Sequence, residues 1–159
     1  MNKKIKLSNF NISNDTDRLT FISGPCLLES DKLAYKVASK LSLLSKKYKF
    51  NLIFKCSFDK ANRSSHISSR SKMSLNASMD ILKSIKKDLK LTITTDVHES
   101  SQIPELLDYI DVIQIPAFLS RQTDLIMAAA DTHKTINVKK GQFLSHPEVL
   151  NIIKKIESR

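Results

Sequence analysis

The sequence predicts an α/β fold built from repeated βα units. Short apolar runs alternate along it with longer stretches in which apolar residues recur every three or four positions, the pattern of helices that bury one face. The chain has 159 residues, which is room for one domain with a single hydrophobic core. No linker or low-complexity tract interrupts the pattern, so we expect one domain over residues 1–159.

Five apolar runs are predicted to be the strands of a parallel sheet. These runs are Leu19–Gly24, Phe50–Ser57, Leu91–Asp96, Val112–Pro116 and Thr135–Lys139. Residues 1–18 precede them, and the weak alternation of Lys4–Ile12 predicts a short strand or hairpin appended to the sheet. Residues 19–159 then hold five βα units, too few for a closed barrel of eight and unusual for an open, doubly wound sheet, so the pattern alone leaves both arrangements open.

A helix is predicted after each strand, because the apolar residues there fall on one helical face. The positions are Leu33, Val37, Leu41 and Leu44; Leu75, Met79, Leu82, Ile85 and Leu89; Ile103, Leu106, Leu107 and Ile110; Leu125, Ala128 and Ala129; and Val149, Ile152, Ile153 and Ile156. The last helix is preceded by Ser145 and Glu148, which have the spacing of a capping box and predict its N-terminus.

The charge balance raises the question of a polyanionic partner. There are 26 Lys and Arg against 16 Asp and Glu, a formal net charge of +10. Many lysines are scattered along predicted helices and Arg is scarce, which favours a solvated Lys-rich surface over a nucleic-acid interface. A nonenzymatic basic protein that binds RNA or another polyanion is kept as the alternative function.

Other classes are excluded by what the sequence lacks. It has no apolar run of about 18 residues that could span a bilayer, and no apolar segment with a cleavage site follows the basic N-terminus, so we expect a cytoplasmic protein. Two cysteines without a CxxC spacing predict reduced thiols rather than a disulfide framework or a Cys-based zinc site. Glycine occurs only at Gly24 and Gly141, so we expect each to be needed where it stands.

Polar and cationic residues gather where the predicted strands end, which is where functional groups collect in parallel α/β folds. Lys55 and Ser57 share one face of their strand because a strand has a period of two, and Cys56 takes the other. Further donors expected on the same rim are Lys60, Asn62, Arg63, Ser64 and Lys139. Surface exposure would explain any one of these residues, but not a lysine within a strand that otherwise reads as buried. A phosphorylated or doubly anionic small molecule is therefore the predicted ligand.

Four segments of the chain resemble a known family. They read FKCSFDKANRSS, ITTDVHES, DVIQIPAFLSRQTDL and INVKKGQF, and they resemble the 3-deoxy-D-manno-octulosonate 8-phosphate synthases, also called 2-dehydro-3-deoxyphosphooctonate aldolases. The similarity runs from about Phe10 to about Lys155. The related 3-deoxy-arabino-heptulosonate 7-phosphate synthases share the Gly-Pro-Cys opening but carry KPRTS in place of residues 60–64.

The resemblance implies an incomplete (β/α)8 TIM barrel and a 3-deoxy-8-phosphooctulonate synthase, a transferase of lipopolysaccharide biosynthesis. Such an enzyme condenses phosphoenolpyruvate with arabinose 5-phosphate and water to give 3-deoxy-D-manno-octulosonate 8-phosphate and phosphate. The physical logic agrees, because cations can hold two phosphorylated substrates together and offset their mutual repulsion.

The resemblance also implies a role for individual residues. The implied phosphoenolpyruvate pocket consists of Lys55, Ser57, Lys60, Gln114 and Lys139. The implied pentose phosphate contacts are Asn62, Arg63 and Ser64, together with Arg121, which reaches the neighbouring subunit's substrate in a homo-oligomer. Asp96 and His98 are the implied catalytic residues, close to the reacting carbons.

Cys26 stands at the position that divides the family into metal-dependent members, which have Cys, and metal-independent members, which have Asn. The resemblance therefore implies a divalent zinc, iron or manganese ion with Cys26 as a thiolate ligand, whose task is to orient or activate the attacking water. The family's remaining ligands, a His, a Glu and an Asp, and a further phosphate-binding Arg lie beyond the five units found here.

We therefore expect a truncated or split chain that binds no metal tightly and has little or no activity alone, unless a second chain supplies the missing part of the barrel. The loop after Ser65 also lacks the family's two glycines, at residues 71–73, which is expected to strain the loop or change its path.

Overall fold

The computed structural model describes residues 4–61 and 73–159. Its strands are β1 (Ile5–Lys6), β2 (Asn11–Ile12), β3 (Thr20–Ser23), β4 (Asn51–Lys55), β5 (Thr92–Asp96), β6 (Val112–Ile115) and β7 (Thr135–Val138). Its helices are α1 (Asp31–Tyr48), α2 (Leu75–Leu89), α3 (Ile103–Leu106), α4 (Thr123–Ala130) and α5 (Val149–Glu157). The five predicted strands of the parallel sheet are confirmed, with ends that differ by at most two residues.

Strands β3 to β7 form one parallel sheet in the order β3-β4-β5-β6-β7. Each strand pairs with the next one along the chain, and helices α1 to α4 make the connections. A doubly wound sheet reverses its strand order near the middle, whereas a barrel adds its strands in one direction. The structure is therefore part of an α/β barrel, as the resemblance implied, and β3 and β7 are the edges of the described sheet.

The sheet turns one face to the helices and the other to the barrel axis. Phe54, Ile93 and Ile113 belong to the main hydrophobic core, together with Met79 and Leu82 of α2. The residues that alternate with these strand positions include Lys55, Thr94, Asp96, Val112 and Gln114. Asp96 and Gln114 therefore lie side by side in a polar row on the face turned away from the helices, next to the row of Lys55, Thr94 and Val112.

A serine precedes each of the two long helices and a lysine follows it. Ser30 Oγ and Ser74 Oγ each accept a hydrogen bond, at 3.2 Å, from the backbone N–H three residues later. The capping residues after the helices are Lys49 (φ 56°) and Lys90 (φ 53°), which adopt the left-handed conformation that glycine normally fills. For a residue with a side chain this conformation costs about 1–2 kcal/mol. No helix within residues 4–61 or 73–159 is long and apolar enough to cross a membrane.

Strands β1 and β2 pair antiparallel, with Ile5 opposite Ile12, which confirms the predicted hairpin. The hairpin is a two-stranded sheet of its own and adds no strand to the main sheet. Asn9 attaches it, because its Nδ2 donates to the Lys90 carbonyl at 3.1 Å and to Thr92 Oγ1 at 3.3 Å. Since Thr92 begins β5, the hairpin lies against the amino ends of the strands, opposite the rim where the predicted site residues lie.

Helix α3 is shorter than predicted. The predicted apolar positions run from Ile103 to Ile110, but the helix covers only Ile103–Leu106, after a 3₁₀ turn at Ser100–Gln102. The N–H groups of Tyr109 and Ile110 both donate to the Leu106 carbonyl, which closes the helix in a tight turn. Ile110 is nevertheless buried, so the apolar pattern correctly marked the core positions but not the helix end.

Candidate anion-binding site

Five of the predicted site residues meet at the carboxyl ends of two neighbouring strands. Lys55 is the last residue of β4 and Asp96 is the last residue of β5. Ser57 and Lys60 follow in the loop after β4, and His98 follows in the loop after β5. Parallel strands end at the same edge of a sheet, so the register that pairs β4 with β5 also brings these two loops together.

Two lysines share one hydroxyl group at the centre of the site. Lys55 Nζ and Lys60 Nζ both donate to Ser57 Oγ, Lys60 at 2.7 Å. Asp96 Oδ1 lies 3.3 Å from Lys55 Nζ. Asp96 therefore faces the ammonium group of Lys55, and the ammonium group of Lys60 lies close by on the shared hydroxyl group. A phosphate or carboxylate that entered the cluster would relieve the repulsion between the two ammonium groups.

Lys55 is an unusual lysine because it is mostly buried, with a side chain only 16% exposed. This burial is the main cause that lowers the pKa of Lys55 below its ordinary value. The carboxylate of Asp96 opposes the shift and the ammonium of Lys60 adds to it. A bound anion would act in the same direction as Asp96 and favour the charged form of Lys55.

Asp96 is the fixed negative charge of the site. Burial by itself would raise the pKa of Asp96, but the hydrogen bond with His98 and the positive charge of Lys55 outweigh it and hold the pKa well below its usual range. The carboxyl group is therefore ionised at neutral pH. An ionised carboxylate can only accept hydrogen bonds, so Asp96 requires donors from both of its neighbours.

The imidazole of His98 is buried between Asp96 and an aromatic ring. Its side chain is 7% exposed, and Nε2 lies 3.5 Å from Asp96 Oδ2. The ring of Phe58 meets it edge-on, with centroids 5.6 Å apart. His98 Nδ1 is buried and has no hydrogen-bond partner among the residues that the structure describes. Because buried polar atoms are normally paired, Nδ1 is a free acceptor or donor for a ligand or a water molecule.

Gln114 continues the polar row beyond Asp96. It pairs with Asp96 on one side and with Asn137 on the other. Its Oε1 accepts a hydrogen bond from Asn137 Nδ2 at 3.3 Å. Gln114 therefore lies where a pocket residue is expected. Asn137 was not singled out from the sequence, although its place two residues before Lys139 puts both on the same strand face.

The remaining predicted ligands lie apart from this cluster or outside the described residues. Lys139 is exposed just after β7, and its backbone N–H donates to the Ile115 carbonyl at 3.0 Å. That places Lys139 on the same rim, but the polar contacts described for Lys55 and Lys60 do not include it, so their convergence stays a prediction. Arg121 is exposed after β6, and its contact with a neighbouring subunit stays a prediction too. Three predicted sugar phosphate ligands, Asn62, Arg63 and Ser64, lie outside the described residues.

The two cysteines have different surroundings. Cys26 is exposed in the loop after β3, whereas Cys56 is buried and its burial raises the pKa of the thiol to about 12. Residues 4–61 and 73–159 hold no group of three or more His, Cys, Asp or Glu side chains placed to bind a metal ion. The donors described here do not fit a complete metal centre, so no catalytic step is assigned to a metal. The role of Cys26 as one ligand of such a centre stays a prediction.

Two supporting residues were missed in the sequence. Phe58 packs against the His98 ring, and Gln102 Oε1 accepts a hydrogen bond from the His98 backbone N–H at 2.9 Å. The spacing between Glu99 and Gln102, which matches the second half of a capping box, was the available signal for Gln102. Nothing in the local pattern around Phe58 distinguishes it from an ordinary core residue.

The fold and the cluster together define a class of protein: part of an α/β barrel with a cluster of cationic and polar side chains at the carboxyl ends of its strands. The sequence model of the DAHP synthetase I family matches residues 3–159. The chain therefore belongs to this family of enzymes.

Curated relatives make the similarity more specific. The chain is 46% identical over 140 residues to the 2-dehydro-3-deoxyphosphooctonate aldolase of Bradyrhizobium diazoefficiens, covering 88% of this chain and 49% of the relative. It is 44% identical over 157 residues to the aldolase of Rickettsia prowazekii, covering 99% of this chain and 56% of the relative. It is 42% identical over 155 residues to the aldolase of a Chelativorans species, covering 98% of this chain and 55% of the relative. The resemblance is confirmed, and the chain spans about half the length of the curated relatives it matches.

Proposed function

We propose that the complete enzyme containing this chain condenses phosphoenolpyruvate with arabinose 5-phosphate and water, and that this chain supplies its phosphoenolpyruvate pocket. The observation that carries the proposal is the pair of lysines that share Ser57 Oγ beside the ionised Asp96. Relatives named 2-dehydro-3-deoxyphosphooctonate aldolase support the choice of this reaction over other uses of an anion site.

Phosphoenolpyruvate suits this cluster because it carries a carboxylate and a phosphate on one small molecule. Two ammonium groups, on Lys55 and Lys60, can each contact one of these anionic groups. Ser57 and Gln114 offer neutral polar groups on the same rim for the remaining oxygens. The carboxylate of Asp96 faces Lys55, which limits where a second negative charge can settle and so orients the substrate.

The bond changes of the proposed reaction can be assigned to positions around the cluster. C3 of phosphoenolpyruvate forms a bond to the aldehyde carbon of the sugar, water adds its oxygen to C2, and the bond between C2 and the phosphate oxygen breaks. Water gives up two protons in all: one completes the new hydroxyl group at the former aldehyde, and the other leaves with the phosphate as C2 becomes the ketone carbon. His98 Nδ1, buried and without a partner in the described part of the chain, is a suitable group to accept and return the first of these protons.

Other parts of the complete site belong to the same proposal. Asn62, Arg63 and Ser64 would hold the sugar phosphate, with Arg121 from a neighbouring subunit of a homo-oligomer. Cys26 would be one ligand of a divalent zinc, iron or manganese ion, whose chemistry is to orient the attacking water. A second chain, or the rest of the same enzyme, would supply the remaining strands, and we propose the cytoplasm as the location. The alternative of a basic RNA-binding protein gains no support from the relatives.

Titration of the purified chain with phosphoenolpyruvate, monitored by calorimetry and by backbone amide NMR, tests the pocket. Lys55→Met should weaken binding at least about tenfold, the effect expected from losing one charge-assisted contact of about 1.4 kcal/mol. Lys36→Met, an exposed lysine on α1, is the matched control and should change binding less than about twofold. Equal affinity of the wild-type chain and Lys55→Met for phosphoenolpyruvate would contradict the proposal.

A further inference from the structure

The backbone that carries His98 is held by one side chain. Gln102 Oε1 accepts hydrogen bonds from two consecutive backbone N–H groups, that of His98 at 2.9 Å and that of Glu99 at 3.2 Å. Gln102 lies in the 3₁₀ turn that leads into α3, where Ile103 and Leu106 are buried in the core. The loop after β5 is thus tied to a segment that core packing keeps in place.

This attachment of the backbone is important because the ring of His98 itself has few polar contacts. Its Nε2 donates to Asp96 Oδ2 over a long distance of 3.5 Å, so this hydrogen bond restricts the ring less than a short one would. Asp96 is an acceptor only, so Nε2 carries the proton and, in the neutral ring, Nδ1 keeps a lone pair. The edge of Phe58 restricts the tilt of the ring but offers no polar partner. The direction of Nδ1 therefore depends on the position of the His98 backbone as well as on the ring contacts with Asp96 and Phe58.

We infer that Gln102 is a positioning residue, which holds the His98 backbone so that Nε2 faces Asp96 and Nδ1 stays an unpaired acceptor. The atom that Nδ1 would accept from is a hydroxyl of the sugar substrate or the attacking water, and this last step rests on the proposed function. The attachment of His98 through Gln102 does not rest on it. If Gln102 served only to start α3, its loss would lower stability without changing the His98 ring.

Amide hydrogen exchange and ¹⁵N NMR of the His98 ring, both on the full chain, separate these two roles. Gln102→Met, which is similar in length but lacks the acceptor, should speed exchange at the His98 and Glu99 amides at least tenfold relative to the amides of β5. It should also move the ring away from the Nε2–H tautomer and weaken the nuclear Overhauser contact with Phe58. Gln102→Glu keeps an acceptor oxygen at the same reach and should preserve the wild-type tautomer.

Two further variants complete the test. Gln142→Met, at an exposed glutamine in the loop after β7, should leave exchange at the His98 and Glu99 amides unchanged. Gln102→Asn withdraws the oxygen by one methylene group, and it should reproduce the faster exchange even if Gln102→Met fails to fold.

Folded Gln102→Met or Gln102→Asn with wild-type exchange and a wild-type tautomer would overturn the positioning role. A wild-type chain whose His98 signals do not respond to phosphoenolpyruvate would instead count against the proposed function. The exchange and tautomer results are obtained without substrate, so the two failures are distinguishable.

Discussion

The carbonyl oxygen of Lys55 occupies the space next to Gly24 where any larger residue would place its β-carbon. A β-carbon built on Gly24 would lie 1.9 Å from that oxygen, far inside van der Waals contact. Lys55 is the last residue of β4, and the end of β3 can approach it this closely only because residue 24 is glycine. One of the two glycines of the chain thus supports the candidate site directly.

Gly24→Ala should reduce both stability and anion binding. The clash is with backbone, which cannot move aside as a side chain can, so we expect a loss of about 1–3 kcal/mol in the free energy of unfolding. Displacement of Lys55 should weaken phosphoenolpyruvate binding in the same variant. Denaturant unfolding and titration measure the two effects. Gly141→Ala is the control and should cost less, because its nearest clash is with the end of the exposed Phe143 ring.

Asp96→Asn should change the dependence of stability on pH. The folded-state pKa of Asp96 is lowered, so its contribution is fully present above the unfolded value of about 3.9 and is lost as the pH falls toward the lower folded value. The free energy of unfolding, measured with urea from pH 7 to about pH 2.5, should therefore fall less steeply in acid for the variant than for the wild-type chain. Asp108→Asn, at an exposed aspartate, should follow the wild-type curve. Parallel curves for the wild-type chain and Asp96→Asn would show that Asp96 is not a buried ionised group.

The purified chain alone should have little or no synthase activity. The described residues provide no group of three potential metal ligands, and the chain spans about half the length of its relatives. The measurement is phosphate release from phosphoenolpyruvate in the presence and absence of arabinose 5-phosphate. A rate typical of enzymes, roughly 1 to 10³ s⁻¹, that depends strictly on the sugar would disprove this prediction.

Lys49→Gly should stabilise the protein. Lys49 caps the end of α1 in the left-handed conformation, which costs a side-chain-bearing residue about 1–2 kcal/mol and glycine much less. Part of that gain is offset by the greater freedom of glycine in the unfolded chain, so we expect a net increase of about 1 kcal/mol in the free energy of unfolding. Lys47→Gly, two residues earlier and within the helix, is the matched control and should destabilise by a similar amount.

The open edges of the sheet should make the chain associate. Leu19, Phe21 and Ile22 at the β3 edge are 70%, 47% and 43% exposed, and neither edge strand carries a proline or a central lysine that would discourage pairing. Sedimentation should show association that increases with concentration. Phe21→Lys should reduce it, whereas Tyr48→Lys, at an exposed tyrosine that ends α1, should not. A monodisperse wild-type monomer that unfolds cooperatively above about 60 °C would contradict this expectation.

The sequence by itself determined the order of the strands and helices, the family, and the fact that Lys55 and Ser57 share a face. These features are encoded locally, because apolar spacing reports helical or strand period and a family motif is a contiguous string. Only the tertiary structure decided which strand-end residues touch. Lys60 and Lys55 meet at Ser57, while the described contacts of that cluster do not extend to Lys139.

The orientation of His98 was likewise decided by the tertiary structure. It depends on Phe58 from the preceding βα loop and on Gln102 from the turn before α3. The Gln102 contact is local, four residues along the chain, but the Phe58 contact joins segments far apart in sequence and follows from strand register and loop path. No local pattern specifies either of these, so the ring's unpaired nitrogen could not be inferred from the chain alone.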